Sequence, residues 1–149
     1  MKQLLDIVTI VCIGLMIGTE FAVSAFIGPI LEKLGSSGKA QATRLFAQTL
    51  GRVMPFWYAL SLLLLIAEAI VRRLEQGFVL LATAGAIWAV VILLTVLILV
   101  PINNRVAKAE GEVFSDQLER EHRLWDALHR WRVLALGVAM VCVCMGIGV

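Results

Sequence analysis

The sequence predicts an all-α protein: a four-transmembrane-helix bundle with a short amphipathic helix between helices 1 and 2 and a helical extension before helix 4. Three observations carry that expectation. Hydrophobic residues make up 60% of the 149-residue chain, and charged residues only 16%. The mean hydropathy of +0.92 is too high for a soluble domain of this size. The apolar residues also gather in four long runs of the length a helical crossing needs, about 20 residues. A chain this short has room for one domain, so residues 1–149 read as a single integral membrane domain.

The runs cover residues 4–30, 55–71, 78–100 and 131–149. In hydrocarbon every backbone group must find its partner internally, so each run is a helix. The first is read as retained, because it is too long for a signal-peptide core and no small-x-small cleavage site follows it. Pro29, in Gly28-Pro29-Ile30, removes a backbone donor and disfavours helix at the residue before it, which predicts a kink or end there. After a Gly/Ser turn, residues 40–53 place Leu45, Phe46, Leu50 and Val53 in a short helix. The second and third spans are joined only by Arg72-Arg73-Leu74-Glu75-Gln76-Gly77, a tight hairpin. Pro101 then predicts a helix stop before Asn103 and Asn104. Within the polar stretch 103–130, Ser115 is placed to cap a helix with Asp116 and Glu119 in its first turns. Asp116/Arg120, Glu119/Arg123 and Asp126/Arg130 are acid-before-base pairs at the favoured i,i+4 spacing.

With four spans, Lys2, Arg72 and Arg73 share one side with both termini, and the other ten of the thirteen Lys and Arg residues lie on the opposite side. The positive-inside rule puts the two long connections in the cytoplasm. The third connection carries as many acids as bases, which leaves the reverse orientation open. The expected location is a bacterial inner (cytoplasmic) membrane. A net charge of +2 with no basic tail argues against nucleic acid as a partner. The lipid bilayer is the expected one. Gly14 and Gly18 form a short GxxxG, which admits either a second copy in a homo-oligomer or a helix of the same bundle. Gly137 and Gly146 offer similar close approach in helix 4.

Glu20 is the residue the sequence leaves unexplained. A charge within hydrocarbon costs about 2.5–3.5 kcal/mol on insertion scales, and no base lies within a helical turn of it. Glu68 has Arg72 four residues on, and Asp6 lies near a helix end. If the embedded part of helix 1 ends before Pro29, Glu20 sits roughly 10 Å inside the long-loop face, at 1.5 Å per residue. Helix 3 ends and helix 4 begins at that same face. There Asn103 and Asn104 supply paired carboxamides, and His122, Trp125 or Asp126, His129 and Arg132 recur on one helical face. Arg132 is thus placed to turn inward toward Glu20. The plainer readings are a buried ion pair or protonated carboxyl, a simple helix stop, and a surface helix with a snorkelling arginine. Convergence at one end of the bundle favours a polar pocket with an apolar floor, walled by Phe21, Phe26, Phe56, Trp57 and Tyr58.

Two further readings concern metals. Cys12, Cys142 and Cys144 lack zinc or disulfide spacing and read as small apolar side chains, with a Cys/Met copper site on Cys12, Cys144, Met16, Met140 and Met145 as a weaker alternative. His122 and His129 are weak candidates for iron, copper, zinc or haem, at a spacing that matches no recognised metal motif.

Phe21-x7-Pro29, the aromatic start of helix 2, Pro101-Ile102-Asn103-Asn104-Arg105 and the Trp125, His129, Arg132 set carry a resemblance over nearly the whole chain. The chain resembles a widespread family of small four-helix membrane proteins, largely without assigned activity, that includes the anthrone oxygenases. The resemblance implies a membrane pocket flanked by Asn and His/Arg elements and, for the characterised members, use of molecular oxygen on aromatic polyketides without metal or organic cofactor. Glu20 does not belong to the family pattern. The function this suggests is an oxygenase-like enzyme, cofactor-independent, acting on a hydrophobic, aromatic or phenolic small molecule that arrives from lipid. His129 is the expected general base. Asn103 and Arg132 would hold the oxyanion, Glu20 would set the charge of His129 or Arg132, and Asn104, Trp125 and Phe21 would contact substrate. A metal- or haem-binding membrane protein and a non-enzymatic membrane module are the alternatives.

Overall fold

The computed structural model describes residues 2–148. Among them four helices are long and apolar enough to cross a membrane: α1 (Lys2–Leu31), α2 (Ser36–Val71), α3 (Phe78–Lys108) and α4 (Asp116–Gly148). The described residues contain no strand. Val149, the expected last residue of the fourth span, lies outside them. Each helix packs against its neighbours in sequence, and α1 closes onto α4, so the bundle is a ring.

Why these faces meet is legible in the spacing. The buried stripe of α1 is Thr9, Ile13, Met16 and Glu20; within the apolar half of α2 it is Tyr58, Ser61, Leu65 and Glu68. Steps of three and four residues keep one helical face inward. Leu81, Ala84, Trp88 and Val91 from α3, and Leu136, Ala139 and Val143 from α4, complete the interior. The outward faces are apolar as well: Leu4, Val11 and Leu15, Leu63 and Ile66, Leu93 and Leu97, Leu134 and Val138 are all open. Such continuous apolar surface is satisfied only by a bilayer, so this is an integral membrane protein.

Two expected boundaries are corrected. The predicted amphipathic helix at 40–53 is not separate, because α2 runs unbroken through Pro55. Pro101 does not stop helix 3, and of the kink or end expected at Pro29 the end does not occur, since α1 continues to Leu31. The chain solves both problems in the same way. One π-helical turn, Val23–Ile27, precedes Gly28-Pro29, and another, Thr95–Leu99, precedes Val100-Pro101. Gly28 N–H donates to Val23 O and Val100 N–H to Thr95 O, so the residue before each proline reaches one step further back. The widened turn makes room for the ring that would otherwise clash with the preceding turn. On α3 the buried face continues from Leu81, Ala84, Trp88 and Val91 to Leu99, Ile102 and Val106 on the far side of the π turn.

The connections behave largely as expected. Ser115 caps α4, its Oγ accepting from Leu118 N–H at 3.3 Å. Of the three acid–base pairs expected on that helix, Glu119–Arg123 closes at 3.5 Å, while Asp126 faces His122 at 3.9 Å instead. Arg44 and Gln48 donate to the carbonyls of Ala109 and Ala107, both at 2.9 Å, which ties the end of α3 to α2. At the terminal face Glu68 is more deeply set than its sequence position suggests. It is fully buried, pairs with Arg72, and accepts from Thr9 Oγ1 at 3.1 Å, while Arg72 also reaches Asp6 at 2.7 Å.

Of the glycines expected to allow close approach, Gly146 does so. A Cβ on Gly77 would stand 2.0 Å from the Gly146 carbonyl oxygen. Gly137 and Gly18 face open space, and Gly14 meets only the tip of Met140, so the GxxxG draws no helix backbone close among the described residues. Gly77→Ala is expected to force the α2–α3 hairpin off α4 at an overpacking cost of about 1–3 kcal/mol, read as a lower unfolding midpoint in detergent.

Candidate functional site

Three residues from two helices, Glu20 of α1 and His129 and Arg132 of α4, meet at the loop-side end. Glu20 and His129 are each 3% exposed, so neither charge nor ring is left to water. Arg132 Nη2 donates to Glu20 Oε2 at 2.6 Å and to His129 Nδ1 at 2.7 Å. The other ring nitrogen, Nε2, lies 3.2 Å from the Glu20 backbone carbonyl. A carbonyl only accepts, so Nε2 carries the proton and Nδ1 offers the lone pair that Arg132 covers. The imidazole is therefore neutral in this arrangement, with Glu20 Oε2 a further 3.3 Å from Nδ1.

The helices fix that geometry. Glu20 ends the buried stripe of α1, immediately before the first π turn. Thr95, the first residue of the second π turn, accepts from Arg132 Nη1 at 3.3 Å. Both irregular turns thus adjoin the polar cluster, as π turns at functional sites often do. On α4 the rings of His122, Trp125 and His129 form a stack, with centroids 5.9 and 4.7 Å apart. The Arg132 guanidinium lies between aromatic faces, 5.6 Å from the Tyr58 ring and 6.0 Å from Trp125.

Around this cluster lies a cavity of about 460 Å³, to which all four helices contribute. Its wall carries Glu20, Tyr58, Thr95, Asn103, Asn104, Trp125, His129 and Arg132, and its floor is Met54, Leu62, Leu63, Ile92 and Val96. A second cavity of about 180 Å³ lies toward the loops, and Val23, Leu50, Asn103, Trp125 and His129 border both. Two buried donors beside the larger cavity, Tyr58 Oη and Arg132 Nε, have no hydrogen-bond partner among the described residues. Buried donors are nearly always paired, and leaving one unpaired costs about 1–3 kcal/mol.

Of the residues expected here, Glu20, Asn103, Asn104, Trp125, His129 and Arg132 come together. Phe21 does not. It is half exposed on the outer face of α1, edge-on to Phe26 at 5.7 Å, because a residue next to the inward-facing Glu20 must point away. Phe56 and Phe26 also face outward, and Trp57 donates to the Cys12 carbonyl at 3.1 Å. Only Tyr58 of the proposed aromatic wall lines the cavity. Asn103 donates to Ala47 O at 3.0 Å, leaving the second N–H of its carboxamide for another acceptor. A Cβ on Gly51 would meet Asn103 Nδ2 at 2.9 Å. Gly51→Ala is therefore expected to turn Asn103 away and cost about 1 kcal/mol for the lost bond, seen as a lower unfolding midpoint together with weaker ligand retention.

The metal alternatives do not find a donor set. His122 and His129 stand on opposite sides of the Trp125 ring, too far apart to share an ion at the usual nitrogen distance of about 2 Å. Cys144 and Met145 face outward while Cys12 lies 3.9 Å from Ser61 Oγ, so the copper set is not gathered. Among the described residues no three His, Cys, Asp or Glu side chains cluster as metal ligands.

The family model described as anthrone oxygenase matches residues 42–142. The chain belongs to that family. No curated protein and no solved structure matches it. The family match contains Tyr58, Thr95, Asn103, Trp125, His129 and Arg132 but leaves out α1 up to Leu31. Within this family member, Glu20 is thus supplied to the site from outside the matched region. Sequence reasoning missed Thr95 altogether and gave Tyr58 no special place. Tyr58, Ser61 and Glu68 share spacings of three and seven residues, and that polar stripe on an apolar helix was the available signal.

Proposed function

We propose that the chain is an oxygenase that uses molecular oxygen on a hydrophobic, oxygen-bearing aromatic compound of the anthrone or phenol type. The observation that carries this reading is the pair of unpartnered buried donors, Tyr58 Oη and Arg132 Nε, set beside a neutral imidazole and a largely apolar cavity. A ligand with one polarised oxygen on an apolar ring system answers both features. Family membership supports the same substrate class.

The chemistry follows from the tautomer. Arg132 leaves Nδ1 of His129 and turns to the substrate oxygen, joined by Tyr58 Oη and the free N–H of Asn103. Nδ1, now uncovered, takes the acidic C–H or O–H proton as general base. The resulting imidazolium then donates Nδ1–H to Glu20 Oε2, already 3.3 Å away. Glu20 thus stabilises the charged base, as the carboxylate of a hydrolase triad does. The stabilised carbanion or phenolate reduces oxygen directly, and this step draws on no resident cofactor. For an anthrone-type CH2, one oxygen atom becomes the new carbonyl and the other leaves as water with the two hydrogens. The long connections are proposed to lie on the cytoplasmic side.

Purified protein in lipid vesicles is expected to consume one oxygen molecule per anthrone converted, with the product quinone detected by absorbance. Absence of uptake with anthrones and electron-rich phenols alike would sink the proposal.

A further inference from the structure

We infer that the smaller, loop-side cavity is an aqueous duct that connects His129 to the solution on the long-loop face, kept apart from the lipid-side substrate cavity by Trp125. This rests on the proposed function for its purpose, though not for its existence. The cavity lies between the end of α1, the start of α2, the end of α3 and the polar start of α4. The α2, α3 and α4 segments lie beyond the long apolar runs, where water and headgroups replace hydrocarbon, while residues 23–29 of α1 belong to the loop-side end of the first run. Its outer wall carries Glu32, which is exposed, and the His122–Asp126 pair. Its inner end is His129.

Thr43 is the second, independent observation. It is 4% exposed, lines this cavity, and its hydroxyl has no partner among the described residues. The lining of this cavity is mainly apolar, but a water beside the Thr43 hydroxyl needs only about 10–15 Å³ of probe-occupied volume and two or more polar partners. Ser24 on α1 and Asn103 on α3 supply further partners along the same wall. The larger cavity is more apolar still, with exposed Leu63 and Val96 opening it toward lipid between α2 and α3.

The division has a chemical consequence. A proton taken from a substrate buried in the lipid-side cavity must leave the protein before the next turnover. From the His129 imidazolium it passes to a duct water, giving neutral imidazole and hydronium, which the His122–Asp126 pair at the outer wall can accept and release. The stacked indole of Trp125 keeps that water from the substrate anion.

Cysteine accessibility tests this without any need for turnover. In sealed vesicles of known orientation, with Cys12, Cys142 and Cys144 replaced by alanine, Thr43→Cys and Ser24→Cys are each treated with a charged methanethiosulfonate from the long-loop side. Both are conservative in size, and Ser24→Cys serves if Thr43→Cys fails to fold. Ala59→Cys, in the lipid-side cavity, is the comparison. Modification of the duct positions is expected to be at least about tenfold faster than at Ala59→Cys, because apolar burial raises a thiol pKa and each pKa unit cuts the reactive thiolate tenfold. Equal or slower modification at both duct positions would overturn the inference. Fast modification in a protein that oxidises no phenol would support the duct while removing the oxygenase reading.

Discussion

His129→Ala is expected to cut substrate-dependent oxygen uptake by about 10²- to 10⁴-fold, the range a positioned general base contributes, while the bundle still folds. The second half of that expectation comes from the geometry. Glu20 and Arg132 remain 2.6 Å apart without the ring, so the buried charges stay paired. The losses are the bond from Nε2 to the Glu20 carbonyl and the acceptor at Nδ1, at about 1–3 kcal/mol if nothing replaces them. His129→Gln restores a donor toward the carbonyl without a base of useful strength. It is expected to recover the unfolding midpoint and leave uptake at the alanine level. Uptake in His129→Ala equal to that of the unaltered protein would move the base role elsewhere, with Glu20 the remaining carboxylate in reach.

The sequence disclosed the architecture well because the signals were long. Four apolar runs and one tight hairpin admit few arrangements, and the closed ring of α1 to α4 is the simplest. It also pointed to most of the residues that gather at the candidate site, since Glu20 was an isolated charge and His129 and Arg132 share a helical face with Trp125. What it hid was how the helices accommodate proline. Proline at 29 and 101 reads as a stop by steric argument, yet one π turn ahead of each lets the helix pass. Thr95 continues the three-and-four spacing of Leu81, Ala84, Trp88 and Val91, so its inward position was available in the pattern, but its contact with Arg132 was not. Phe21 failed as a substrate contact for a simpler reason. Neighbouring helical positions diverge by about 100°, so a residue beside the inward Glu20 has to face out.

The sharper question is whether the Glu20–Arg132 pair exists to hold the bundle together or to serve a reaction, and stability and activity should separate on it. Arg132→Met is expected to destabilise the protein by about 3–5 kcal/mol, because it strands a carboxylate in a site where the Glu20 side chain is only 4% exposed. Glu20→Leu strands the guanidinium instead and should cost a similar amount, eased by the Thr95 hydroxyl and by the Tyr58 and Trp125 faces. The double variant Glu20→Leu/Arg132→Met removes both charges together. Replacing a buried pair with apolar residues of similar volume is commonly neutral or stabilising by about 1–4 kcal/mol. The double variant should therefore unfold at or above the midpoint of the unaltered protein. A purely structural pair predicts that this variant keeps every other property. The oxygenase reading predicts that it folds and is inactive, because the oxyanion donor and the partner of the imidazolium are both gone. Full oxygen uptake in a stable double variant would assign the pair to structure. A stable protein that no longer consumes oxygen would show that a charge pair the bundle does not need is retained for the chemistry.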